Sequence, residues 1–163
     1  MSCFSRRGLL LSSLFLLAAC GFSPAYAPSG AGDALLNRVQ ITAPSTRAGF
    51  LLTQELESRL GRVPDARFEL SPTILLRSTS SAISEDNVAT RLNLLGRVDY
   101  VLRDRTTDTI VSTGSVDSFN GYSTSGTPVA VQAAERDAEA RLMRILADQL
   151  ITRLLAVAHS LPE

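Results

Sequence analysis

Residues 88–103 read VATRLNLLGRVDYVLR, and their alternation decides the fold. Leu92, Leu94, Val98, Tyr100 and Leu102 fall on one side of an extended chain. Arg91, Asn93, Arg97, Asp99 and Arg103 fall on the other. Successive side chains of a strand point to opposite faces. The pattern therefore predicts a long antiparallel strand with one face on a core and the other open to water or a partner. On its C-terminal side, Asp104 to Asp108 reads as a hairpin loop into a further strand from Thr109 to about Tyr122. There Ile110 and Val116 agree in phase while Val111 and Phe119 do not, which predicts a bulge. On its N-terminal side, Thr79 to Asn87 reads as a polar link from a strand over Arg67 to Ser78. That strand places Phe68, Leu70, Ile74 and Leu76 on one face. Pro72 cannot donate to a ladder, so the strand is expected at an edge or with a bulge at Pro72.

Helices close the pattern at both ends. Arg38 to Ala43 alternates as a short first strand, and Pro44, Ser45 and Thr46 supply helix-start chemistry. Ala48, Leu52, Leu56 and Leu60 recur every four residues, with Gly61 where a C-terminal cap belongs. After a break at Ser123 to Thr127, Pro128 opens a helix to about Ala158. Its row is Ala138, Leu142, Leu146, Leu150 and Leu154, widened by Met143, Ile145, Ala147 and Ile151. The order strand, helix, three strands, helix predicts an α+β domain. Two helices pack on one face of a four-stranded, mainly antiparallel sheet.

The first nineteen residues are read differently. Ser5, Arg6 and Arg7 form a polar, positive start, and Gly8 to Leu17 is an apolar run. A membrane-spanning helix needs about twenty apolar residues, so this run suits a signal peptide rather than an anchor. It ends in Leu17-Ala18-Ala19-Cys20, the lipobox pattern of bacterial lipoproteins. Small residues at 18 and 19 admit the backbone to a peptidase, and the Cys20 thiol takes a diacylglyceryl group. The expected organisation is a cleaved lipoprotein signal peptide over 1–19, a lipidated flexible tether over 20–34, and one domain over 35–163. Acyl chains would hold it to a membrane. Gly21, rather than Asp, follows the cysteine, which favours the periplasmic side of the outer membrane.

Composition narrows the chemistry. With Cys3 removed and Cys20 acylated, no thiol remains for a disulfide or a metal site. All sixteen basic residues are arginine. After cleavage, fourteen stand against sixteen acids, so no basic field draws the chain to nucleic acid. His159 is the single histidine and sits in a terminal segment beside Ser160 and Pro162. No catalytic arrangement, metal site or cofactor is expected, and the isolated glycines read as turn and cap positions. Glu85 and Asp86 suit either a cation or a solvated charge pair.

The opening Cys20-Gly21-Phe22-Ser23-Pro24-Ala25-Tyr26 resembles that of the lipopolysaccharide-assembly lipoproteins, the LptE family. Ala134 to Leu155 looks like that family's final helix, and Asn87 to Arg103 like its long central strand. The resemblance implies a non-enzymatic role. Proteins of this family plug the lumen of the outer-membrane barrel LptD, help it assemble, and take part in inserting lipopolysaccharide into the outer leaflet. On that view LptD and lipopolysaccharide are the partners. Arg77, Arg91, Arg97 and Arg103 are then candidate contacts to lipopolysaccharide phosphates or barrel carboxylates through bidentate geometry. The same arginines also suit a solvated sheet face with ordinary salt bridges. An alternative function is that of an auxiliary lipoprotein in a periplasmic phospholipid-transport system.

Overall fold

The computed structural model describes residues 32, 34–83 and 89–161. The expected signal peptide, Cys20 and the pair Glu85 and Asp86 lie outside them, as does the side chain of His159. The elements are β1 (Val39–Ile41), α1 (Arg47–Leu60), β2 (Phe68–Ile83), β3 (Ala89–Asp104), β4 (Thr109–Ser123) and α2 (Pro128–Val157). A 3₁₀ turn, Ala158–Ser160, follows α2.

The four strands form one sheet in the order β1-β2-β3-β4. The β2–β3 and β3–β4 pairs are antiparallel, whereas β1 runs parallel to β2. A parallel neighbour requires a crossover, and α1 supplies it. Thr46 caps α1 by accepting the Gly49 N–H at 3.1 Å. Gly61 ends it with a φ of 84°, in the left-handed region that favours glycine. At α2 the Thr127 hydroxyl accepts the Ala130 N–H, and Pro128 starts the helix.

Both leucine rows lie where their spacing puts them. Ala48, Leu52, Leu56 and Leu60 of α1 are buried, as are Ala138, Leu142, Leu146, Leu150 and Leu154 of α2. They meet Phe68, Leu70, Leu94, Val98, Tyr100, Leu102 and Val116 from one side of the sheet. Met143, Ala147 and Ile151 are buried too, but Ile145 is exposed. It lies about 100° round the helix from Leu146, on the flank opposite Ala147. The helices run in the same direction: Arg47 pairs with Glu139, Arg144 with Glu55, and Arg59 with Asp148. Such exposed pairs fix register more than they stabilise, at about 0–1 kcal/mol each.

Glycine has a use in this sheet that turn and cap chemistry does not cover. Gly96 sits mid-strand on the core side, and a Cβ there would come within 2.9 Å of Leu146 Cδ1 and 3.0 Å of Leu142 Cδ2. Its lack of a side chain lets α2 settle onto β3. Gly114, opposite Tyr100, makes room for the tyrosine ring in the same way.

Strand pairing corrects one expectation and places two others. The polar link is strand as far as Ile83, because the β2–β3 hairpin continues pairing to Ile83↔Ala89. Pro72 lies at an edge, as one of its two readings required, since β1 pairs with β2 only as far as Leu70; no register shift occurs there, and the irregularity of β2 lies between Ser80 and Ile83. In β4 the bulge falls at Val111, since Leu102 pairs Ser112 and Arg103 pairs Ile110. This turns Val111 toward the core and leaves Ile110 exposed, the reverse of their simple phase.

The β3–β4 end is pinned by one buried charge. Asp104 is fully buried and accepts from Arg67 Nε at 3.1 Å and from the Thr106 N–H at 2.8 Å. Arg67 also stacks over Phe68, 5.3 Å from the ring centre. Burial alone would raise the Asp104 carboxyl, but the Thr106 and Arg67 bonds outweigh it and hold it below the usual range. A carboxyl depressed in the folded state contributes stability above its unfolded value, near 3.9, and loses it as pH falls through the lower folded value. Asp104→Asn should therefore melt below the parent at neutral pH. The gap should close as thermal unfolding is followed below about pH 4. A constant gap would show that Asp104 acts by packing rather than by charge.

Candidate functional site

The candidate surface is the outer face of the sheet, the side away from both helices. Odd-numbered residues of β2, β3 and β4 beyond the bulge at Val111 point there, because their even neighbours Leu70, Leu94, Val98 and Val116 are in the core. Strand register lays out the rows. Arg77, Leu95 and Phe119 lie side by side, and Leu75, Arg97 and Asp117 form the next row. Adjacent strands are about 4.8 Å apart, so each row spans roughly 10 Å.

The four arginines expected on this face divide into two kinds. Arg97 donates from Nε to Asp99 Oδ1 at 2.9 Å. Arg103 donates to Asp108 Oδ1 at 2.9 Å and to its backbone oxygen at 3.2 Å. These two charges are already answered within the domain. Arg77 and Arg91, both exposed, have no acidic partner within ion-pair distance among the described residues. Arg91 lies across β4: a Cβ on Gly121 would fall 3.2 Å from its Nε. Gly121, without a side chain, thus leaves room for the guanidinium over β4.

Between the arginines is an apolar patch that the alternation of residues 88–103 did not bring out. Leu75 is 57%, Leu95 41% and Phe119 64% exposed. Leu95 and Phe119 are directly opposite each other, with Leu75 diagonal to Leu95. With Arg77, Arg97 and Asp117 they line a shallow depression of about 430 Å³. Two signals were present in the sequence: Leu95 beside Leu94, and a Phe119 out of phase with Val116. Each is a large apolar residue assigned to the wet side of its strand. Apolar residues at exposed positions, rimmed by charge, mark interaction surfaces when they are contiguous.

An apolar floor with unpaired guanidinium groups suits an amphiphile with phosphate or carboxylate groups, or a protein wall of the same character. Among the described residues there is no group of His, Cys, Asp or Glu side chains placed to hold a metal. No described helix is long and apolar enough to cross a membrane.

Comparison with known proteins adds the relationship. A candidate lipoprotein from Caulobacter crescentus CB15 has a similar structure, with a TM-score of 0.68 at 23% identity. The alignment covers 79% of this chain and 96% of that one. Rare lipoprotein B from Shewanella oneidensis superposes with a TM-score of 0.59 at 11% identity, over 75% of this chain and 95% of that one. A minor lipoprotein from Acinetobacter baumannii does so at 0.55 and 14% identity, over 75% and 93%. At such identities these likenesses establish the fold. No curated protein matches the sequence. The model of the lipopolysaccharide-assembly family matches residues 36–154, from before β1 to the last turn of α2. With that match over most of its length, the chain belongs to the LptE family of lipopolysaccharide assembly.

Proposed function

We propose that this family member is a lipoprotein held by acyl chains on Cys20 at the periplasmic face of the outer membrane. There it plugs the lumen of the LptD barrel, helps that barrel assemble, and takes part in inserting lipopolysaccharide into the outer leaflet. The outer face of the sheet is the surface assigned to these contacts. Leu75, Leu95 and Phe119 supply its apolar floor, and Arg77 and Arg91 its free charges. The observation that carries the assignment is this pairing of unanswered arginines with exposed apolar side chains on the face of the sheet opposite the core. An ordinary solvated face has little reason to expose Phe119 to 64%. Membership of the lipopolysaccharide-assembly family favours this reading over an auxiliary role in phospholipid transport.

Anchoring is tested at Cys20. One acyl chain binds a bilayer only marginally, so stable attachment needs the several chains that a lipidated N-terminal cysteine carries. Cys20→Ser should abolish incorporation of labelled palmitate, block cleavage before residue 20, and move the protein out of the outer-membrane fraction. Palmitate entering the variant as in the parent would remove Cys20 from the account.

A further inference from the structure

We infer that the free edge of β2, from Ile74 to Ser80, is a strand-addition site for an extended segment of the protein's partner. That segment would carry apolar residues and a carboxylate. The inference rests on the barrel-partner reading above and specifies how that partner is held.

The direction of the β2 hydrogen bonds exposes the site. Phe68 N–H donates to Arg38 O, and Leu70 O accepts from Thr42 N, both at 2.9 Å. Even-numbered β2 residues therefore address β1. Arg67 O accepts from Arg105 N at 2.8 Å, so odd-numbered residues address β3. β1 pairs with β2 only from Phe68 to Leu70, whereas β2 continues to Ile83. Among the described residues, no strand meets the even-numbered backbone groups beyond Leu70. Pro72 falls in the even series, where its missing N–H is required by no ladder bond. Ile74, Leu76, Ser78 and Ser80 follow with their N–H and C=O groups directed outward.

Sheet edges are normally guarded by charge, proline, a bulge or a cover. Here Pro72 and the Ser80–Ile83 irregularity bracket the segment without interrupting it. Arg77 is its one charged side chain. The opposite edge, β4, has Asp117 beside a groove lined by Gln149, Thr152 and Arg153 of α2. At the β2 edge, apolar groups are exposed on both faces: Leu75 outward and Leu76, 40% exposed, on the helix side. Alongside the start of the edge, Thr42, Pro44, Thr46, Gly49 and Pro72 line a groove of about 420 Å³ that can seat one end of an incoming strand. Backbone pairing would give affinity, Leu75 and Leu76 would select apolar neighbours, and the unpaired Arg77 would select a carboxylate. The added strand continues the β1–β2 ladder along the same edge.

The test compares hydrogen exchange of the full lipidated chain alone and in its purified complex with LptD. Strand addition slows the amides of Ile74, Leu76, Ser78 and Ser80 on the order of tenfold or more, while Thr73, Leu75 and Arg77, already paired with β3, change little. Covering a face would not produce that alternation. Ser78→Pro, which removes an N–H unused inside the domain, should lose most of the LptD in a pulldown. Ser78→Ala, which lacks the hydroxyl but keeps the N–H, should retain it. A complex that forms with unchanged even-numbered amides, or that tolerates Ser78→Pro, overturns strand addition and leaves the plug reading standing. Protection of the same amides in the free chain assigns the edge to a second copy if the chain is dimeric. In a monomer it assigns the edge to the chain's own N-terminal segment. Either outcome overturns the inference. Failure of the parent to bind LptD overturns both readings.

Discussion

Leu146→Ala is expected to destabilise a soluble form beginning near Gly32 by about 2–5 kcal/mol, as truncation of a fully buried leucine does. Leu146 is at the centre of the α2 row, has no exposed surface, and sits against Gly96. The glycine cannot fill the space that truncation would open, since it has no side chain to move. The cost should therefore lie in the upper part of that range, with a melting temperature lower by on the order of 10 °C. Denaturant unfolding followed by circular dichroism measures it. Ile145→Ala, on the exposed flank one residue away, is the internal control and should change stability by less than about 1 kcal/mol. Equal effects at 145 and 146 would mean that the seat of α2 on the sheet is misassigned.

The second large effect is expected from Arg77→Ala combined with Arg91→Ala. Both side chains are exposed and unpaired within the domain, so their removal costs no internal ion pair and the fold should be unchanged. A hydrogen bond to a charged group contributes about 1.5–3 kcal/mol, so losing both cations should weaken lipopolysaccharide binding roughly tenfold or more. Arg97→Ala with Arg103→Ala removes the same formal charge from the same face. Those guanidinium groups are already engaged by Asp99 and Asp108, and their loss frees two acids. The second pair should therefore have the smaller effect if direct contact matters. If only net charge matters, the two pairs should weaken binding alike. Binding of lipopolysaccharide by the soluble form, with circular dichroism in parallel, separates these outcomes. Equal losses would turn the face into a diffuse field, and no loss in either would return it to a solvated surface.

Much of this architecture is legible in residue spacing because its core is built on regular periods. The alternation from Leu92 to Leu102 and the four-residue rows of α1 and α2 each bury the side they predict. Spacing fails where a residue's environment is set by a neighbouring strand. Thr79 to Asn87 reads as a polar link, yet the hairpin with β3 holds its first part, as far as Ile83, as strand. A single bulge exchanges the faces of Ile110 and Val111, and its position depends on pairing with Leu102 and Arg103. Gly96 and Gly114 have meaning only once α2 and Tyr100 are placed above them. The candidate site divides in the same way. All four arginines could be assigned to the outer face from parity alone. Which of them are already paired required knowing that Arg97 reaches Asp99 and that the β3–β4 turn brings Asp108 to Arg103. The apolar patch required the register that joins Leu75, Leu95 and Phe119 from three strands.

If this chain is a plug and assembly partner of LptD, the two proteins should leave the membrane together. The full lipidated chain, tagged at its C-terminus and extracted from outer membranes in mild detergent, should bring down LptD in near-equal amount. The complex should survive washing in high salt, because a closely fitted apolar and polar surface is not held by screened charge alone. Cells depleted of the chain should show less folded LptD in the same preparation. Recovery of phospholipid-transport components without LptD, under conditions where the chain is lipidated and membrane-bound, would show that the chain serves phospholipid transport and is not a plug of LptD.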